Sequence, residues 1–259
     1  MSKLSYKEKF IDVSDYGRPI AVTLASWLKN TPATPVQVTL LFGVCGLFAV
    51  YSILNGYYAT AAIFLVLKSI IDAVDGELAR VKKIPSYTGR YLDSIFDIIL
   101  NFMVLMAIWH VTASPLWMAL LAFVCLQLQG TLYNYYYVIL RHHSQEGDKT
   151  SKIFEDTSPK AYPRESQKTV NILFTIYRML YSVYDRVIYR IERNAPEADP
   201  FPKWFMTILS FYGLGFQLLI ISIMMTAGLI GYIIPFIISY SIFIILFVAI
   251  RKVFLNGSR

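Results

Sequence analysis

The run Asp72-Ala73-Val74-Asp75-Gly76-Glu77-Leu78-Ala79-Arg80, followed after eight residues by Gly89, Asp93 and Asp97, is where this chain can do chemistry. Between Tyr16 and Ser144 the only acidic residues are Asp72, Asp75, Glu77, Asp93 and Asp97. Their surroundings are apolar, and a carboxylate inside a hydrophobic span costs roughly 2.5–3.5 kcal/mol or more unless something compensates it. Clustered carboxylates call for a multivalent cation. On a helix, offsets of three, four and seven return to one side, so Asp72, Asp75, Gly76 and Ala79 share a face, as do Asp93 and Asp97. The short loop between Arg80 and Gly89 makes the two helices antiparallel neighbours, and all four aspartates are expected to converge. Four like charges at that range repel strongly in a low dielectric, and two divalent cations would neutralise them. An all-oxygen donor set without His or Cys selects Mg²⁺ or Mn²⁺ over Zn²⁺.

The neighbours of the acids matter as much. Gly76 and Ala79 leave the helix surface bare, so a bulky ligand can approach the backbone, and Gly89 does the same opposite. Arg80 and Arg90 stand at the membrane edge, where a phosphate would sit. Glu77 and Arg90 are otherwise read as solvated or facing headgroups. Lys68 precedes Asp72 by one helical turn and is expected to pair with it or to snorkel. The run Tyr133, Tyr135, Tyr136, Tyr137 is read as packing and interface belt, with an aromatic cage for a quaternary amine as the sharper alternative.

The elements that position these residues must be membrane helices. The 259 residues are 56% hydrophobic and 15% aromatic, with a mean hydropathy of +0.50, which is a polytopic membrane composition. Six stretches have the roughly 17–25 residues a bilayer crossing takes: Val36–Leu54, Tyr57–Val74, Tyr91–Val111, Pro115–Leu140, Trp204–Ala227 and Ile230–Val253. Turn residues separate them at Asn55-Gly56, Ser114-Pro115 and Gly228 to Gly231, and those breaks carry no Lys or Arg. Basic residues gather on the other side: Lys3, Lys7, Lys9, Lys82, Lys83, Arg141 and the segment after it, Arg251, Lys252 and Arg259. The positive-inside rule then puts both termini, the Arg80–Gly89 loop and the 142–203 segment in the cytoplasm, with the aspartates opening to that side. The net charge of +7 is accordingly read as cytoplasmic loops and anionic headgroups, not as nucleic-acid binding. The polar stretch Met1 to Tyr16 lacks the apolar core of a cleaved signal peptide. Cys45 and Cys125 sit in apolar runs and are read as free thiols.

The expected architecture is an all-α integral membrane bundle of six spans. Residues 1–35 hold the cytoplasmic N-terminus and a short interfacial helix near Pro19–Lys29. Residues 36–141 hold spans one to four with the 72–97 motif. Residues 142–203 form a cytoplasmic insertion, and 204–259 hold spans five and six. Within the insertion, 168–193 has a helical period. Asn171, Thr175, Arg178, Ser182, Asp185, Arg186 and Arg190 make its polar face, and Leu173, Ile176, Leu180, Val183, Val187 and Ile191 its apolar face. That pattern describes a basic amphipathic helix on the membrane surface, or one packed on the bundle or another subunit.

The motif resembles that of the CDP-alcohol phosphotransferase family, D-x2-D-G-x2-A-R-x8-G-x3-D-x3-D. All eight fixed residues are present as Asp72, Asp75, Gly76, Ala79, Arg80, Gly89, Asp93 and Asp97. The six spans and the N-terminal interfacial helix resemble that family too. The 142–203 insertion is longer than its pattern, and Thr34-Pro35-Val36 replaces a frequent Thr-Pro-Asn. The resemblance implies a transferase that moves a phosphate-linked group from a cytidine diphosphate donor to an alcohol and releases CMP. It implies a pair of metal ions on Asp72, Asp75 and Asp93, with Asp97 as the base and a further ligand. Gly76, Ala79, Arg80 and Gly89 would line the nucleotide and its phosphates. Members of the family are often homodimers.

Two donor types occur in that family: CDP-diacylglycerol with a small alcohol or alcohol phosphate, and a CDP-choline-like or CDP-ethanolamine-like donor with diacylglycerol. The Gly89-Arg90-Tyr91-Leu92-Asp93-Ser94 stretch resembles the CDP-diacylglycerol users. An acceptor carrying a phosphate would want arginines in its pocket, and spans five and six carry none in their interiors. A non-enzymatic cation transporter would place its acids near the bilayer midplane beside broken helices, whereas these lie at the rim on two continuous ones. An inactive homologue is the remaining alternative, against which the intact motif argues.

Overall fold

A computed structural model describes residues 9–143, 155–197 and 201–255, and among them the chain is helical, without strands. The helices are α1 (Arg18–Leu28), α2 (Pro35–Leu54), α3 (Tyr58–Lys82), α4 (Tyr87–Thr112), α5 (Leu116–His143), α6 (Gln167–Ile191), α7 (Lys203–Leu209), α8 (Leu214–Thr226), α9 (Ile233–Tyr240) and α10 (Phe243–Phe254). Lys3, Lys7 and Arg259, counted toward sidedness above, lie outside the described residues.

Local sequence explains the boundaries. At the start of α2, Thr34 accepts from the Gln37 N–H at 3.3 Å while the Gln37 side chain accepts from the Thr34 N–H at 2.9 Å. Pro35 fills the first helical position, so the cap is a reciprocal box with a pre-set φ. The α2–α3 turn passes through Gly56 at φ +76°, a left-handed conformation that costs glycine nothing. Ser86 caps α4 by accepting from the Gly89 N–H at 2.8 Å.

Antiparallel α2, α3 and α4 pack together, with α8 against α3 and α9 against α5. Ala49, Ile53, Ala61, Leu65, Leu105, Ile108, Ala119 and Ala122 fill their shared core. Small residues at these positions let the helix axes approach, as packing within a membrane requires. α1 lays Ala21 and Ala25 against α3 while Trp27 stays exposed.

Among the described residues, four segments are long and apolar enough to cross a bilayer: Pro35–Leu54, Tyr87–Thr112, Leu116–His143 and Ile230–Val253. A fifth arises if Lys203–Tyr212 and Leu214–Thr226, bent by 52°, form one span. The described residues therefore carry four or five membrane-capable segments on apolar length alone. The sixth expected span is α3, 25 residues long. Lys68, Asp72 and Asp75 interrupt its apolar run, so composition does not mark it as a span. The bend before α8 also differs from the continuous helix expected there. It lies where the N-terminal strap, Asp12–Asp15, crosses: a Cβ added to Gly215 would meet Ser14 O at 1.9 Å. Only a bare backbone fits at that crossing.

The insertion is tied to the bundle at several points. Glu155 pairs with Arg90 and accepts from the Tyr91 hydroxyl at 3.0 Å. Glu165 accepts from Ser86 Oγ at 2.8 Å and from the Thr88 N–H at 2.7 Å, so a carboxylate sits on the positive end of α4. Burial alone would raise the Glu165 carboxyl, but these hydrogen bonds outweigh it and hold it below the ordinary glutamate range. At the far end Glu192, fully buried, accepts from Tyr136 Oη at 2.7 Å and Arg251 Nε at 2.5 Å.

α6 itself packs across α4 and α5 through Val170, Phe174 and Ile188. Ile176, Val183, Val187 and Ile191 of its expected apolar face remain exposed. Two expectations need correcting here. Arg90 and Glu77 are not solvated, since each is engaged in ion pairs. Asp185, assigned to the polar outer face of 168–193, turns inward, because the stripe that meets the bundle is aromatic.

Candidate active site

α3 carries Asp72 and Asp75 on one face, and α4 brings Asp93 opposite them. One carboxylate oxygen from each lies within 4.8 Å of the other two. Thr39 on α2 donates to Asp75 Oδ2 at 2.6 Å and fixes its orientation. Asp93 Oδ1 is buried and has no hydrogen-bond partner among the described residues. Leaving a buried charged oxygen unmatched is costly. Three converging carboxylates with an orphaned buried oxygen fit a hard divalent cation, and the donors are oxygen only.

Asp97 stands apart from that triad. The expectation of four converging aspartates is met by three, because Lys68 pairs with Asp97 instead. The pair joins α3 to α4, and Lys68 is 1% exposed. The sequence expectation had Lys68 pairing with Asp72, one turn along its own helix, or snorkelling. Lys68 donates to Asp97 Oδ1, and Asp97 Oδ2 has no hydrogen-bond partner among the described residues.

All four aspartates line one cavity of roughly 400 Å³. Gly76 lines it as well, and a Cβ there would meet the Arg80 guanidinium at 3.6 Å. Ala79, Arg80 and Gly89 do not line it. Arg80 is held by Glu77, Nη2 to Oε1 at 2.7 Å, and Glu77 also pairs with Arg18. Gly89 sits behind Ser86 in the first turn of α4. Ala79 and Arg80 lie one turn beyond Gly76 on α3, and Gly89 lies one turn before Asp93 on α4, toward the ends that the connecting loop joins.

Much of the remaining lining was not singled out from sequence. The strap at Asp12–Asp15 contributes Asp12, Ser14 and Asp15. It is anchored by Tyr133 Oη donating to Asp12 Oδ2 at 2.5 Å and by the Val13 N–H donating to Ser210 Oγ at 2.9 Å. The tyrosine run divides: Tyr133 and Tyr137 line the cavity, whereas Tyr135 and Tyr136 are core residues that bond Glu192. Tyr177, Tyr181 and Asp185 of α6 close one wall, with Tyr181 Oη donating to Ser94 O at 2.8 Å. Burial, and secondarily the Glu155 charge, pushes the Asp185 carboxyl up to about 7. The spacing Phe174, Tyr177, Tyr181, Asp185, Ile188 was the available signal, since its offsets of three and four mark a second helical stripe.

The model of the CDP-alcohol phosphatidyltransferase family matches residues 33–250. Among curated proteins, the "Bifunctional IPC transferase and DIPP synthase" of Aquifex aeolicus is 36% identical over 93 residues, 35% of this chain and 21% of that protein. The protein of the same name from Thermococcus kodakarensis is 35% identical over 103 residues, 39% of this chain and 24% of its own length. The matched region thus spans less than a quarter of either relative. With the family's pattern running through the helices that build the triad and the cavity, the chain belongs to the CDP-alcohol phosphatidyltransferase family.

Proposed function

We propose that this protein transfers a phosphatidyl group from CDP-diacylglycerol to a small alcohol and releases CMP. The observation that carries the proposal is the triad Asp72, Asp75 and Asp93 beside Asp97 in one cavity. The residues would sit at the cytoplasmic end of six spans, with α3 and the bent α7–α8 pair completing the count.

Asp72, Asp75 and Asp93 would hold one or two divalent cations, Mg²⁺ or Mn²⁺, which when bound neutralise charge on the pyrophosphate and the leaving CMP. Asp97 then acts on the acceptor. Its Oδ1 is engaged by Lys68, which leaves Oδ2 to take the hydroxyl proton. The acceptor oxygen forms a bond to the lipid-side phosphorus, the bond from that phosphorus to the CMP oxygen breaks, and the electron pair leaves with CMP. Lys68, locked in the core, keeps Asp97 out of the triad and aimed at the cavity. Gly76 lets the nucleotide lie against α3, and Arg80, Ala79 and Gly89 meet its phosphates at the mouth. α6 and the strap exclude water from the far side.

A panel assay tests the reading: purified protein, Mg²⁺, CDP-diacylglycerol, and serine, inositol, inositol phosphate, glycerol phosphate or choline in turn. CMP release with one acceptor is expected. Release only from CDP-choline or CDP-ethanolamine with diacylglycerol would reverse the donor assignment. No release from either donor type would overturn the transferase reading.

A further inference from the structure

We infer that the deep end of the cavity, beyond Asp97, binds the acceptor, and that this acceptor is a small hydroxyl-bearing molecule without a phosphate of its own. The inference rests on the transferase reading and deepens it. Asn101 lies one helical turn past Asp97 on α4, so its amide occupies the same face, farther from the mouth. Gln127 and Thr131, one turn apart on α5, complete the group, and all three line the cavity. Asn101 and Gln127 are each 6% exposed and Thr131 is 8% exposed.

None of these three side chains has a hydrogen-bond partner among the described residues, and Gln127 Nε2 is a buried donor with nothing to meet. The contrast with neighbouring buried amides is informative. Gln129 donates to Ile237 O at 3.1 Å and Ser241 Oγ at 2.7 Å. Gln217 donates to Leu126 O and Gln129 Oε1, both at 3.1 Å. Those two amides fasten helices together. Asn101 and Gln127 fasten nothing, and an unmatched buried amide costs about 1–3 kcal/mol. A ligand with hydroxyl groups would satisfy both, since a hydroxyl donates and accepts.

Charge decides against a phosphate on that ligand. The basic residues lining the cavity, among those described, are Arg18 and Arg141. Arg18 is paired with Asp15 and Glu77. Arg141 lies 14 residues beyond Gln127 on the same helix, roughly 21 Å away at 1.5 Å per residue. Lys68 is committed to Asp97 and the cations would be committed to the triad, so the neutral amides at the deep end would leave a phosphate dianion uncompensated.

The test uses full-length protein with Mg²⁺, CDP-diacylglycerol and matched acceptor pairs: inositol and inositol phosphate, glycerol and glycerol phosphate, serine and phosphoserine. The free member of one pair should exceed its phosphorylated partner at least about tenfold in kcat/KM. Gln127→Leu should raise the acceptor KM about tenfold, the value of one hydrogen bond, with the donor KM within about twofold. Thr131→Val, which preserves shape, should shift the acceptor KM in the same direction. Preference for a phosphorylated partner, or an acceptor KM unmoved in both variants, would overturn the inference and leave the transferase reading standing. CMP release from no pair would overturn both.

Discussion

Lys68 on α3 and Asp97 on α4 form an ion pair that joins the two helices carrying the four aspartates. Removing one member strands the other in the core, at about 3–5 kcal/mol, whereas removing both is far less damaging. Lys68→Met and Asp97→Asn should therefore each lower thermal stability in detergent sharply. The double variant should recover much of the loss without recovering turnover. A double variant no more stable than Lys68→Met would show that the pair does not hold α3 to α4.

The triad makes a separate prediction about ligand-linked stability. A cation that binds only the folded protein stabilises it by about 2.7 kcal/mol at a hundredfold excess over Kd. Mg²⁺ or Mn²⁺ should raise the melting temperature of the wild type, and Asp93→Asn should abolish that rise. An equal rise in Asp93→Asn would place the cation elsewhere.

Glu165 gives a test of how the insertion is held. Its carboxyl is kept below the ordinary range by the α4 N-terminus. Its stabilising contribution is therefore complete above that range and vanishes as pH falls through the lowered value. Glu165→Gln should be less stable than wild type at pH 7, and the gap should close below about pH 4. Scanning calorimetry of both proteins from pH 7 downward measures it, and a gap that widens toward acid would contradict the assignment.

Asp185 should behave with the opposite sign. Burial and Glu155 raise its carboxyl to about 7, so the folded state holds the proton more tightly than the unfolded one. Stability is favoured at low pH and is lost as pH rises from the ordinary aspartate range through about 7. Asp185→Asn should match wild type near pH 4 and exceed it above pH 7. A variant less stable than wild type at pH 8 would mean the ionised carboxylate has a partner there.

The helices and the triad were legible because they depend on local spacing. Asp72, Asp75 and Asp93 sit at helical offsets on two adjoining helices, so one short loop brings them together. The Lys68–Asp97 pair was not legible, because residues 29 positions apart meet only once the packing of α3 on α4 is known. The Asp185 wall was hidden for a related reason. A helix with two apolar stripes shows in sequence the stripe richest in aliphatics, and α6 uses the aromatic one. The strap at Asp12–Asp15 is polar and short, and its docking depends on bare backbone at Gly215, about two hundred residues later.

The most direct measurement is the rate of CMP release from CDP-diacylglycerol, in purified wild type and Asp97→Asn, across a Mg²⁺ titration with the best acceptor of the panel. Release that rises with Mg²⁺ in the wild type is expected. In Asp97→Asn it should fall about 10²–10⁴-fold while donor affinity holds, the usual contribution of a positioned base. Wild-type release undiminished in excess chelator, or equal rates in the two proteins, would contradict the assignment of the triad to cations and of Asp97 to the proton.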